Sequence, residues 1–295
     1  MSFQVDTAFV QSYRSNVTLL SQQMGSRLRP WVRHETQNSE FDYYDRISAT
    51  DAVEVVNRHS DTPLISTPHD RRQVGLRDFD WADLIDRKDR IRMLADPTAS
   101  YTQNAVAAMG RAMDDVIIDA VFGTAKTGKA GAGSQTHSND IASTFQEDGS
   151  SVASNLTIGK LREARKSLKA NEAVQDGEDL VFVWTADQEQ SLLQSTEATS
   201  SDFNSVKALI NGELNSFMGF QFVHTERLDV ASSVRDCIAY ARQGLLLATG
   251  EELFIDIGPR RDKRGSIQVY VSGSFGSVRM EEAKVYKVQC DESAA

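Results

Sequence analysis

Residues 41 to 95 carry eleven acidic and nine basic side chains, and a stretch this polar cannot enclose a hydrophobic core of its own. Its pattern is nonetheless ordered. Short alternating pieces such as Ala52, Glu54, Val55 and Asn57, with breaks at Pro63 and Pro68, read as a long extended hairpin between Phe41 and Asp89. Isolated two-stranded ribbons are marginal in water, and their free edges invite pairing with other chains. The segment is therefore either a solvated surface ribbon or an arm lying across a neighbour.

The rest of the chain has enough apolar residues for an interior. At 295 residues, 40% hydrophobic and 25% charged, it exceeds the usual single-domain size with ordinary globular composition, so two cores, or one core with long excursions, are expected. Upstream of the hairpin, Phe9, Tyr13, Val17, Leu20, Met24 and Leu28 form the stripe of an amphipathic helix that ends before Pro30. Downstream, Asp96 at a capping position and Pro97 open a second helix. Its stripe of Val106, Met109, Met113, Val116, Ile117, Ala120 and Val121 runs to about Phe122, a length of about 37 Å.

Gly123 to Asn155, rich in Gly, Ser, Thr and Ala, reads as an irregular connection. Beyond it a second α+β core begins: a short basic helix over Leu161 to Ala170, a buried strand Leu180 to Trp184, and a helix from Asp187 to Gln194. A helix over Val206 to Leu214 and a turn at Met218 and Gly219 follow, then strands Phe220 to His224 and Asp236 to Ala241. Leu245 to Ala248 is apolar, and alternation returns at Leu253 to Ile257, Ile267 to Val271 and Val285 to Val288.

Candidate chemistry fails at required positions. Gly123 to Ala130 fits the phosphate-binding loop until Ala130, which has no hydroxyl for magnesium, and the segment follows a helix where a strand is needed. The five histidines form no metal-ligand spacing. Asp114, Asp115 and Asp119 are read as a solvated or partner-facing helix edge. Ser272 to Gly276 lacks the first glycine of a nucleophile elbow. Arg260, Arg261, Lys263 and Arg264 are read as a solvated turn. No catalytic residue, cofactor or metal is expected.

A net charge of −10 and a pI near 5.1 disfavour a protein that grips nucleic acid, although they suit a container that must not adhere to it. No apolar run reaches the ~18 residues of a membrane span, so no membrane partner is expected. Met1 to Val10 holds no basic residue, which argues against secretion. Cys237 and Cys290 lack the spacing of a zinc or redox pair and read as reduced thiols.

The order of these features resembles the Hong Kong 97-type fold of tailed-phage major capsid proteins over almost the whole chain. The most specific stretch is Arg92-Met93-Leu94-Ala95-Asp96-Pro97, followed by Met109 to Ala120 and Gly123-Thr124-Ala125. Asn211 to Leu214 leading into Met218 to Phe222, and Ser274 to Arg279, are similar to further parts of that family. The resemblance implies an N-terminal arm at 1 to 38, an extended E-loop at 39 to 95, a peripheral domain with the spine helix at 96 to 150, an axial domain at 151 to 250, and returning peripheral strands with the C-terminal tail at 251 to 295.

It also implies an icosahedral shell of hexamers and pentamers, built in a bacterial host's cytoplasm and becoming the virion capsid. The shell would enclose double-stranded DNA without sequence-specific binding, with a portal protein, a separate scaffold protein and a decoration protein as partners. In such shells the E-loop crosses an adjacent subunit, which makes Arg46, Asp51, Glu54, Arg58, Asp70, Arg71 and Arg72 the expected subunit contacts. The family archetype's lysine and asparagine cross-link has no counterpart, because residues 41 to 80 contain no lysine; a non-covalent shell is expected. With no long N-terminal propeptide, the scaffold is expected to be a separate chain. The alternatives are an encapsulin-like nanocompartment and a nucleotide-binding enzyme.

Overall fold

The computed structural model describes residues 20–56, 61–86, 98–174, 178–194 and 216–293. The expected N-terminal helix lies mostly outside these residues, as do Asp96 with Pro97 and the helix expected over Val206 to Leu214. The described residues form an α+β arrangement of two compact units, each assembled from separate stretches of chain.

The larger unit comprises residues 27–77, 112–250 and 274–295. Its centre is a mixed sheet in the order β7-β15-β12-β8-β10-β9, with β11 attached to β12. These strands are β7 (Asp140–Ile141), β8 (Leu180–Trp184), β9 (Ser216–Phe217), β10 (Phe220–His224), β11 (Val230–Ala231), β12 (Val234–Ala241) and β15 (Val285–Asp291). All five residues of β8 are buried, as expected of a strand covered on both faces. Its aromatic side chains continue into β10: Trp184 stacks on Phe222 with ring centroids 4.2 Å apart, and Phe182 meets Phe220 edge-on at 5.9 Å. Met218 and Gly219 both take positive φ, which turns the chain tightly from β9 into β10.

Helix α2 (Ile158–Ala170) packs on this sheet, capped by the Thr157 hydroxyl, which accepts from the Lys160 N–H at 3.3 Å. Lys160 is buried, and its ammonium donates to the carbonyls of Ser154, Asn155 and Gln289 at 2.6, 3.1 and 2.9 Å. Burial pulls its pKa down, yet three acceptors and no competing donor suit the charged form. A third helix, α3 (Ala186–Gln194), follows β8.

A second sheet of this unit, in the order β2-β3-β5-β6, contains the hairpin. Strand β2 (Phe41–Ile47) runs antiparallel to β3 (His69–Gly75), with Phe41 opposite Gly75 and Ile47 opposite His69. The stretch read as an irregular connection supplies β5 (Ala125–Thr127) and β6 (Gly133–Gln135), besides β7. Its glycines made these strands illegible in the sequence. Gly128 and Gly131 hold positive φ in the turn between β5 and β6, and the strands are too short to show alternation. Val74, Ala125, Leu246, Ala248, Val278 and Met280 form a small core beneath this sheet.

The remaining sheet has the order β1-β13-β14-β4, with β1 (Arg33–Thr36), β4 (Arg77–Ile85), β13 (Leu245–Arg260) and β14 (Ser266–Arg279). Residues 245–260, which alternate hydropathy only in their second half, form one continuous strand. Leu245 to Thr249 are buried beside β1, whereas Glu251 to Arg260 are largely exposed. The Ser272 to Gly276 segment lies inside β14, and the Arg261 to Arg264 cluster is its leading turn, where Arg260 pairs with Asp262 at 2.6 Å.

The smaller unit comprises residues 1–26, 78–111 and 251–273, and it holds the first half of helix α1 (Thr98–Phe122). Gly110 of α1 faces the backbone of Gly25, and a Cβ at position 110 would overlap it. Arg111 fixes the same crossing, donating to Gln22 Oε1 at 2.9 Å and to the Gln23 carbonyl at 3.0 Å.

Candidate assembly surfaces

The second half of α1 carries three carboxylates that hold three different segments of the larger unit. Asp114 is fully buried and accepts from the backbone N–H groups of Arg27 and Leu28 at 3.0 and 3.2 Å. Asp115 pairs with Arg227, and Asp119 with Arg77 at 2.8 Å. Of the edge expected to face solvent or a partner, Asp114 is an interior residue, while Asp115 and Asp119 keep their exposure and find partners within the chain. The sequence showed the acids; their partners lie 42 to 112 positions away, beyond any local pattern.

At the end of α1 the backbone carbonyls have no further helical donors, and a buried guanidinium replaces them. Arg279, with no exposed side chain, donates from Nη1 to the carbonyls of Ala120, Val121 and Gly123, and from Nη2 to that of Gln135 at 3.2 Å. A cation here also opposes the negative end of the helix dipole. The Nε of Arg279 meets Glu282 at 2.7 Å.

Glu282 is shared. Arg72 of β3 reaches it at 3.3 Å and also donates to the Met280 carbonyl. His137 places Nδ1 4.0 Å from Glu282 and Nε2 3.2 Å from both the Asn139 carbonyl and Asp140. Burial, then the neighbouring Arg279, lower the pKa of His137 and favour its neutral form. Arg72 is likewise lowered, by burial first and Arg46 second. No sequence signal marks Arg279, Glu282 and His137 as a group, since the fold brings His137 to Arg279 and Glu282 from a distant segment.

The expected subunit contacts divide along the hairpin. Arg46 pairs with Asp70 and donates to the Met280 carbonyl at 2.5 Å. Burial opposes ionisation of Asp70, but hydrogen bonds from Arg46 and the Arg71 N–H hold its pKa below the usual carboxylate value. Arg71 binds Asp45 at 2.5 Å. Arg72, only 2% exposed, is an interior residue, which corrects its expected place on a contact surface: a guanidinium enclosed by Glu282 and Met280 has no face left for a neighbour. Asp51 and Glu54 are exposed and form no ion pair among the described residues, and Arg58 lies outside those residues.

Beyond the last ladder bond, where the Ser48 N–H meets the Pro68 carbonyl at 3.1 Å, the described residues have no regular secondary structure. There Val56 is 84% and Leu64 95% exposed, with Val53, Val55 and Ile65 exposed alongside them. Grouped apolar exposure of this kind marks an interaction surface. The phosphate-loop-like segment, by contrast, is a strand and a turn, with no helix behind its glycines. No cluster of potential metal ligands occurs among the described residues.

This architecture has known relatives. Residues 5–292 match the family model described as phage capsid protein. The chain belongs to that family. It is a phage capsid protein, and the encapsulin alternative is not favoured. The fold is shared with the head protein of Helicobacter pylori bacteriophage KHP40, at a TM-score of 0.74 and 9% identity over 99% of this chain and 98% of that one. It is shared with a chain of the structure of Mycobacterium phage Che8, at 0.71 and 13% over 97% and 98%. Ralstonia phage GP4 gives 0.70 and 12% over 99% and 97%. No curated protein matches. The Hong Kong 97-type fold read from the order of elements is therefore the fold of this capsid protein.

Proposed function

We propose that the chain builds an icosahedral shell of hexamers and pentamers in which each hairpin crosses a neighbouring copy, and that it performs no catalysis. The carrying observation is the contrast within the hairpin. Its base is neutralised by ion pairs within the chain, while the described residues between 48 and 68 expose valines, a leucine and carboxylates without described partners. Leaving that surface in water forgoes about 25 cal/mol for each Å² of apolar area, which a second copy recovers on contact.

On this reading 1 to 38 is the arm, 39 to 95 the E-loop, 96 to 150 with 251 to 295 the peripheral domain, and 151 to 250 the axial domain. The enclosed polymer is double-stranded DNA held without sequence-specific contacts. Portal, scaffold and decoration proteins are separate partners, and assembly occurs in the host cytoplasm before the protein enters the virion. The absence of lysine between 41 and 80 supports a non-covalent shell, so denaturing gels of purified particles should show monomer alone. Negative-stain microscopy of a variant lacking residues 49 to 67 tests the main claim. Loss of closed particles from an otherwise folded chain is expected, and normal shells would overturn it.

A further inference from the structure

The chain's two cysteines, far apart in sequence, meet in the central sheet of the larger unit. Cys237 lies on β12 and Cys290 on β15, and the strands run antiparallel with Cys237 opposite Val288 and Arg235 opposite Cys290. Side chains on one face of a sheet recur at every second residue, so both sulfurs stand on the same face, neighbours across a diagonal. Both residues are completely buried and free, and α2 packs against both strands.

The two thiols are in contact. Cys237 hydrogen-bonds with Cys290, whose own thiol donates to the Val288 carbonyl at 3.8 Å. Burial, then the hydrogen bond with Cys290, push the Cys237 thiol well above its usual pKa, so it rests in the neutral form, enclosed and unreactive toward bulky or charged oxidants. The buried ammonium of Lys160 acts in the other direction: it interacts with both sulfurs, and a cation beside a thiol favours the thiolate that must form before it can attack.

A small neutral oxidant such as hydrogen peroxide suits this enclosure. One thiol attacks the peroxide, releases water and becomes a sulfenic acid; the other sulfur displaces the remaining oxygen as a second water and closes the S–S bond. The sulfurs are oxidised, the peroxide O–O bond is reduced, and the two thiol protons leave in the waters. A diagonal span is wider than that between directly facing residues, so closure draws β15 along β12. Among the described residues β15 is paired on its outer side with only Asp140–Ile141 of β7, which leaves it room to shift. A bridge closed under such strain is readily reduced.

We propose that Cys237 and Cys290 are an oxidative modification site, a dithiol that a small peroxide closes into a reversible disulfide within one subunit. The bridge fastens β12 to β15 covalently and closes the stretch of chain that contains all of β13 and β14. Both sulfurs belong to the same chain, so the inference does not depend on how copies associate.

Non-reducing peptide mapping by mass spectrometry tests it, on the folded full-length chain after prolonged exposure to hydrogen peroxide. A joined pair of peptides carrying Cys237 and Cys290, lighter by two hydrogens than its separate parts, is expected, and dithiothreitol should return both thiols. Cys237→Ala and Cys290→Ala should each abolish the pair and leave the remaining sulfur to gain oxygen. The bridged chain should also unfold at higher denaturant concentration, a shift that dithiothreitol removes. If the unaltered chain gains oxygen on either cysteine without forming the pair, or keeps both thiols throughout, the proposal is overturned. A bridge that joins two chains, or one that appears only after the chain is unfolded, overturns it as well.

Discussion

Within one hairpin the chain changes character at Ser48. From Phe41 to Ile47 and His69 to Gly75 the strands are in register, and charges on facing positions neutralise each other: Asp45 opposes Arg71, and Arg46 opposes Asp70. From Ser48 to Pro68 the described residues lack a ladder, apolar side chains are exposed and the carboxylates are unmatched. Both parts contain charge and both look polar in composition. Only the base spends its charges within the chain, so charge density alone does not reveal whether a residue faces its own fold or a partner.

The comparison is most open to breaking at Arg279. Replacing it with Met removes the cation from four carbonyls and from Glu282, and should destabilise the folded subunit by about 3–5 kcal/mol. Chemical denaturation of the unassembled chain measures this, and an unchanged midpoint would show that the base does not depend on its buried charges. Arg46→Met strips a partly exposed pair and a carbonyl contact, with an expected cost of about 1 kcal/mol in the same assay.

His137 sharpens the contrast through pH. Its folded pKa is depressed below 6.5, so the unfolded chain binds the proton more readily. Stability from this group is present above pH ~6.5 and is lost as pH falls from there through the folded pKa. His137→Gln should flatten that part of the stability-against-pH curve, and an unchanged slope would assign the acid sensitivity elsewhere. The smallest effect on folding is expected in the loop: Val56→Asp with Leu64→Asp should shift subunit stability by no more than about 0.5 kcal/mol. The same pair should sharply reduce closed particles in electron micrographs, whereas a large folding defect would place those residues in the subunit's own core.

Much of the fold was legible because it is written in local periodicity. Helix α1, β8 and β10 follow from apolar spacing, turn residues and breaks that act over a few positions, whereas the hairpin was legible in place but not in its strands: Ala52, Glu54 and Val55, read as alternating, lie off the ladder of Phe41–Ile47 with His69–Gly75, and Arg77–Ile85 joins another sheet. The β5 to β7 strands were not legible, since three-residue strands among glycines carry no period, and β13 was not legible as one strand, since its burial changes halfway along. Of the expected contacts, Asp51 and Glu54 keep the exposure that the role needs, whereas Arg46, Asp70, Arg71 and Arg72 have partners in the chain itself.

By itself the sequence determined the mixed helix-and-strand class, the position of the main helices and buried strands and the absence of recognisable catalytic motifs, because each depends on patterns between near neighbours. The tertiary structure alone decided which charges are spent. Asp119 meets Arg77, Asp115 meets Arg227, and Arg72 meets Glu282 only after distant segments pack. Burial makes the last of these pairings necessary, since Arg72 is removed from water and an ion is tolerated there only where a partner or a set of hydrogen bonds replaces the solvent, whereas the Asp119 and Asp115 pairs stay in contact with solvent.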